Sequence, residues 1–157
     1  MIEIKAPNKI PRDKSTVFLA GSIEMGVAEN WQDKVINSLS DLDIVFLNPR
    51  RDDWDSTWVQ SIDNPQFNEQ VSWELDGLQV ADLVIFYFDP NTKSPITLME
   101  LGLIAQTVKN TVVCCPEGFW RKGNVDILCN RSCIHQVDDL NELITEVKTY
   151  IVEGFTE

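Results

Sequence analysis

Long apolar runs are missing from this chain. The longest uninterrupted one covers residues 83–88, far below the roughly 18 residues a membrane-spanning helix requires. The first residues show no basic stretch followed by an apolar one, so no secretory leader is expected and the chain reads as cytoplasmic. Positive charge is scarce as well: 13 Lys and Arg stand against 25 Asp and Glu, a formal charge of −12. That balance argues against a nucleic-acid polymer as partner, because phosphate binding depends on clustered cations that release counterions. The four cysteines, Cys114, Cys115, Cys129 and Cys133, form no CxxC pair. They read as small buried hydrophobes, and no metal site and no cofactor are expected. With a single histidine, His135, in a short late strand, acid–base work near neutral pH falls to a perturbed carboxylate. No glycine-rich run follows the first strand, which counts against a flavin- or phosphate-cradling domain. A small-molecule ligand remains open.

What is present is an alternation of strand and helix signals along 157 residues, read as one domain, 1–157. Residues 16–20 form a short apolar run ending at Gly21, and residues 28–39 carry Trp31, Val35 and Leu39 at helical spacing. A second strand at residues 44–47 is closed by Asn48-Pro49. A second helix at residues 67–79 follows a long polar loop and places Phe67, Val71, Leu75 and Leu78 on one face. Residues 83–88 are continuously apolar, as a central parallel strand buried on both faces should be, and they break at Asp89-Pro90-Asn91. Ser94 as N-cap and Pro95 at the first helical position open a third helix with a stripe of Leu98, Leu101, Ala105 and Val108. Residues 111–115 give a fourth strand, in which Cys114 and Cys115 point to opposite faces, and residues 134–137 a fifth. The last helix carries Leu140, Leu143, Ile144, Val147 and Ile151.

This order predicts an α/β fold: a doubly wound, flavodoxin-like domain with a mostly parallel five-stranded sheet. Ligands of such sheets bind beyond the carboxyl ends of the strands. The residues arriving there are Gly21-Ser22, 48–51, 89–94 and 116–124, with Glu100 over the same edge. Near the start of a helix, a carboxylate such as Glu100 can stay ionised beside apolar walls and act as a nucleophile. Glu74 lies among Val71, Leu75 and Leu78, where it is either an acid whose pKa partial burial raises to a useful value or a boundary residue partnered by a backbone amide or a Lys.

Five segments in order, Val17-Phe18-Leu19-Ala20-Gly21-Ser22-Ile23, Asn48-Pro49-Arg50-Arg51, Trp73-Glu74 through Ala81-Asp82, Met99-Glu100-Leu101-Gly102 and Gly123-Asn124-Val125-Asp126, resemble the nucleoside 2-deoxyribosyltransferase-like superfamily. The flavour is that of the bacterial and phage branch bearing NPRR. The resemblance implies cleavage of the N-glycosidic bond of a nucleoside or nucleotide. Glu100 would be the nucleophile that forms a covalent sugar–enzyme intermediate, and Glu74 the acid where better-known members carry Asp. It also implies sugar or 5′-group contacts from Ser94. Asn124 and Asp126 would be supplied by a neighbouring subunit, so that a homodimer or larger homo-oligomer shares its active sites.

For other residues two readings stand together. Ser22 either contacts the nucleoside or only closes the strand. Asp82 either contributes to binding or satisfies backbone amides at the start of its strand. Arg50 and Arg51 either clamp a phosphate or pair with Asp52, Asp53 and Asp55. Trp54 and Trp58 either stack a base or pack the loop. Phosphate-cleaving relatives follow Gly-Ser-Ile with an Arg, whereas this chain has Glu24, which puts phosphate binding there in question. The alternative to an enzyme is a non-catalytic nucleotide-binding module of the same fold.

Overall fold

Parallel strands cannot be joined by a tight turn. Each needs a crossover to bring the chain back to the same edge, and the helices between them supply it. The computed structural model describes residues 1–24 and 28–154. Among them run β1 (Ile2–Ile4), β2 (Thr16–Gly21), α1 (Trp31–Ser38), β3 (Val45–Leu47), α2 (Pro65–Val80), β4 (Leu83–Tyr87), α3 (Pro95–Ile104), β5 (Asn110–Cys114), α4 (Lys122–Arg131), β6 (His135–Val137) and α5 (Leu140–Glu153).

The described strands make one sheet in the order β1-β3-β2-β4-β5-β6, with every neighbouring pair parallel. Leaving β1 aside, this is the 2-1-3-4-5 order of flavodoxin-like folds, whose switch point lies between β2 and β4. The expected five strands become six because β1 adds to the edge, pairing Ile2 with Val45 and Ile4 with Leu47. Ile2 and Glu3 are exposed and Ile4 is half-buried, and an alternation only three residues long does not stand out as a strand. The strand nevertheless matters, since Glu3 accepts a hydrogen bond from the Asn48 side chain at 2.7 Å and the Ile4 carbonyl one from the Asn48 amide at 2.9 Å.

Two apolar layers form, one on each face. Phe18, Val84, Phe86 and Val113 meet Trp73 and Leu78 of α2, Leu101 and Ile104 of α3, and Val125 and Cys129 of α4. On the reverse face Val17, Leu19, Ile85 and Val112 meet Trp31 and Val35 of α1 and Leu143 and Val147 of α5. Cys114 and Cys115 fall in opposite layers, as strand alternation requires.

Three helices depart from the sequence expectation for local reasons. In α2 the buried residues are Gln70, Trp73, Gly77 and Leu78, so Leu75, expected on the apolar stripe, faces outward with 41% exposure. Gly77 sets this rotation: a Cβ there would stand 2.5 Å from the Phe18 ring, and its absence lets the helix lie close against β2. Helix α3 ends at Ile104 rather than near Val108, because the Thr107 amide and hydroxyl both donate to the Ile104 carbonyl, at 2.9 and 2.7 Å. Helix α1 starts at Trp31 instead of residue 28, where the side chain of Asn30 accepts the Asp33 amide. The tail of the loop after β5, together with Asn124 and Asp126, is the helix α4.

Candidate active site

The carboxyl ends of β2 and β4 diverge at the switch point, and the polar residues that follow them converge. Ser22, directly after β2, is fully buried, and its hydroxyl lies 2.6 Å from that of Ser94 and 2.9 Å from that of Thr92. Thr92 and Ser94 close the triangle at 2.7 Å, and the Asp89 amide donates to Ser22 Oγ at 2.9 Å. Hydroxyls this deep are tolerable because each finds partners in the others and in the backbone. Ser94 does stand at the N-cap of α3, followed by Pro95, but its side chain does not cap the helix. It is left-handed, φ 47°, and its hydroxyl is committed to the triangle.

Glu100 lies on the second turn of α3 and is 7% exposed. Burial, and then the negative charge of Glu74, push its carboxyl up to about 8. Glu74 on α2 is half-buried, and its carboxyl is also raised by burial, an effect opposed by a hydrogen bond from Gln70. The two acids, distant in sequence, thus share one setting, and each is harder to ionise than a surface glutamate. Near neutral pH burial and the Glu74 charge favour the protonated form of Glu100.

Gln70 is the site residue that the sequence reading did not find. It is 2% exposed and donates from Nε2 to Glu74 at 2.7 Å and to the Pro49 carbonyl at 3.0 Å. Its position four residues before Glu74 on the same helix face was the available signal. Through it the Asn48-Pro49-Arg50-Arg51 turn positions the acid on α2.

The structure treats the two arginines differently. Arg51 makes a bidentate pair with Asp53, both bonds at 2.8 Å, and lies over Trp58 at 5.2 Å, while Trp54 packs edge-on to Trp58 at 5.1 Å. Among the described residues, the Arg50 guanidinium reaches the Ala28 and Glu29 carbonyls, each at 3.4 Å, and its amide donates to Asn48 at 3.0 Å. Asp82 is at the opposite, amino end of the sheet. There its carboxylate accepts the Thr16 amide at 2.8 Å and the Thr16 hydroxyl at 3.2 Å, tying β4 to β2, so it is not brought to the candidate site. Asn124 and Asp126 are two positions apart on α4 and therefore do not face the same way. Exposed Asn124 borders an open concavity of about 330 Å³ with Leu98, Leu101, Trp120 and Arg121, which includes neither Glu74 nor Glu100. Asp126 accepts from Lys122 at 3.1 Å and from Gln136 at 2.9 Å.

The raised Glu100 has a stability consequence. Between the ordinary carboxyl range and about pH 8 the unfolded chain releases this proton while the folded chain keeps it, so the folded state loses ground as pH rises through that window. Glu100→Gln removes the effect. Its melting temperature should match the parent near pH 4 and exceed it by several degrees near pH 8, a gain on the order of a few kcal/mol. Thermal unfolding across that range checks this, and a difference that does not change with pH would contradict it.

A conserved protein from Enterococcus faecalis V583 superposes with a TM-score of 0.59 at 12% identity, covering 87% of this chain and 98% of that one. The CMP N-glycosidase from Clostridium botulinum superposes with a TM-score of 0.57 at 17% identity, over 87% of this chain and 99% of that one. At such identities the likeness concerns the fold. No curated protein sequence matches the chain. The family described as nucleoside 2-deoxyribosyltransferase like matches residues 14–119, a stretch that contains β2 through β5 and both acids. On that match the chain belongs to the nucleoside 2-deoxyribosyltransferase-like family.

Proposed function

We propose that this protein cleaves the N-glycosidic bond of a (deoxy)nucleoside or its 5′-monophosphate through a covalent glycosyl–Glu100 intermediate and passes the sugar to another nucleobase or to water. The observation that carries this reading is the placement of two acids, buried Glu100 and half-buried Glu74, whose carboxyls are both raised by burial, with the Glu74 charge adding to the rise at Glu100. Family membership and the fold shared with an N-glycosidase support it.

Glycosidic cleavage needs an acid at the leaving base and an anion below the forming oxocarbenium ion. A dyad that holds one proton supplies both. In the free site the proton is mainly on Glu100. When substrate enters, it moves to Glu74, which leaves Glu100 ionised. The C1′–N bond then breaks with its electron pair on the base nitrogen, which takes the proton from Glu74, while a Glu100 oxygen bonds to C1′. In the second half an acceptor nitrogen or a water oxygen attacks C1′, the ester to Glu100 breaks, and the acceptor's proton goes to Glu74. Two displacements retain the configuration at C1′. Gln70 keeps Glu74 directed at the site throughout. In this reading Ser22 and Ser94 sit beside the sugar. Arg50, Asn124 and Asp126 contribute to substrate binding in this reading, whereas Asp82 serves the sheet.

The chemical test uses a panel of nucleosides and 5′-monophosphates, with and without a second free base, and identifies products by mass. Glu100→Gln should lower turnover by about three or more orders of magnitude and abolish the trapped sugar adduct. Glu74→Gln should harm natural substrates by about 10²- to 10⁴-fold, yet spare a nucleoside analogue whose leaving group needs no proton. The parent's kcat/KM should fall above about pH 8, where the dyad loses its last proton, and again in acid, where both members are protonated. Near-normal cleavage by Glu100→Gln would remove the nucleophile, and ligand binding with no product from any substrate would favour the binding-module alternative.

We read the working form as a homodimer or larger homo-oligomer. Helix α3 is apolar around its circumference, with Ile96, Met99 and Leu103 more than half exposed at i, i+3 and i+7. Light scattering should therefore report at least twice the 17.9 kDa of one chain. A fully active species of single-chain mass would remove this part.

A further inference from the structure

Helix α3, which carries Glu100, begins in a concavity that is already filled. Ser94 in the left-handed conformation turns two consecutive backbone amides, its own and that of Lys93, toward a single point. Successive amides so arranged, at the positive pole of a ten-residue helix, favour an anion. The group occupying that point is the carboxylate of Glu24, whose Oε1 accepts from both amides. Glu24 follows Ser22-Ile23 at the switch point and is itself held at a positive φ of 41°. It is half-buried beside the Ser22–Thr92–Ser94 triangle.

Lys93 and Arg50 are engaged elsewhere. Lys93 lies 4.5 Å over the Trp120 ring, and Arg50 is directed at the Ala28 and Glu29 carbonyls. Glu100 is six residues farther along the chain, roughly 9 Å along the helix axis. A sugar seated over Glu100 with its 5′ end toward the start of α3 meets a fixed carboxylate, not an open anion site.

We propose that Glu24 is a specificity-determining residue that restricts this site to substrates with an uncharged 5′ end, that is, to nucleosides rather than their 5′-monophosphates. The inference rests on the glycosidic-cleavage reading above and deepens it. A phosphate arriving here would have to displace Glu24 from both amides and would then lie against its charge, and like charges so placed repel. A 5′-hydroxyl has no such conflict, because it can donate to the second carboxylate oxygen.

The experiment compares kcat/KM for a cleaved nucleoside and its 5′-monophosphate in the parent, Glu24→Gln and Glu24→Ala. The parent should favour the nucleoside by about 100-fold, the equivalent of a repulsion of about 3 kcal/mol. Both variants should narrow that ratio to within about tenfold, chiefly by improving the monophosphate. Preference of the parent for the monophosphate, or a ratio unchanged in both variants, would overturn the proposal. Failure of the cleavage reading looks different, since neither compound would then be consumed. In that case stabilisation by inorganic phosphate in thermal unfolding decides the matter. Phosphate should raise the melting temperature of Glu24→Ala but not of the parent, and equal stabilisation of both would overturn the role of Glu24.

Discussion

Two carboxyl groups placed in one poorly solvated setting are the constraint on which the rest of this structure turns. Moving a single ionised carboxylate into an apolar interior is costly, and moving two side by side costs more, so the pair retains a proton that separate surface acids would lose. Stability alone would not select this arrangement. The fold sustains it because α3, which carries Glu100, is anchored by Leu101 and Ile104, and α2, which carries Glu74, by Trp73 and Leu78, all in the same apolar layer. The Gln70 amide then supplies Glu74 with the hydrogen bond that burial withholds, and it is itself held by the Pro49 carbonyl. Edge strand β1 completes the chain of support, since Glu3 and Ile4 fix Asn48 and with it the turn that presents Pro49.

The same economy of charge extends along the carboxyl edge. The Ser22–Thr92–Ser94 triangle satisfies buried hydroxyls without any ion, and Glu24 is the group that meets the positive pole of α3. Around the two acids, then, negative charge is met by hydrogen-bond donors rather than by cations, the Gln70 side chain at Glu74 and two backbone amides at Glu24. That is a suitable setting for a reaction in which positive charge develops on a sugar ring and must be stabilised only in the transition state.

Much of this was legible in the chain itself, for identifiable reasons. Strands β2, β4 and β5 are buried on both faces and therefore read as continuous apolar runs, and Glu100 follows directly from the helix that succeeds the most evident of them. Glu74 could be found because an acid among apolar neighbours at helical spacing is conspicuous. The exposed side of Leu75 could not, because the rotation of α2 is set by a Gly77–Phe18 contact across 59 positions of sequence. Strand β1 was hidden by its brevity, and Gln70 by being an ordinary residue for a helix. Asp82 shows the limit of motif reasoning: it lies near Glu74 in sequence, yet α2 separates the two along its length, and β4 begins at the far end of the sheet. Ser94 was assigned the correct position but the wrong bond, since capping and the hydroxyl triangle compete for the same oxygen and the triangle is buried.

The claim underlying all of this is that Glu74 and Glu100 titrate as a coupled pair, with Glu100 the last to lose its proton. Observation of the glutamate side-chain carboxyl carbons by NMR across a pH titration addresses it directly, with Glu100→Gln and Glu74→Gln used for assignment. The Glu100 signal should titrate near 8 and move to lower pH when Glu74 is replaced, because the neighbouring negative charge is then gone. A Glu100 carboxyl that titrates in the ordinary range near 4 to 5, unmoved by Glu74→Gln, would contradict the account.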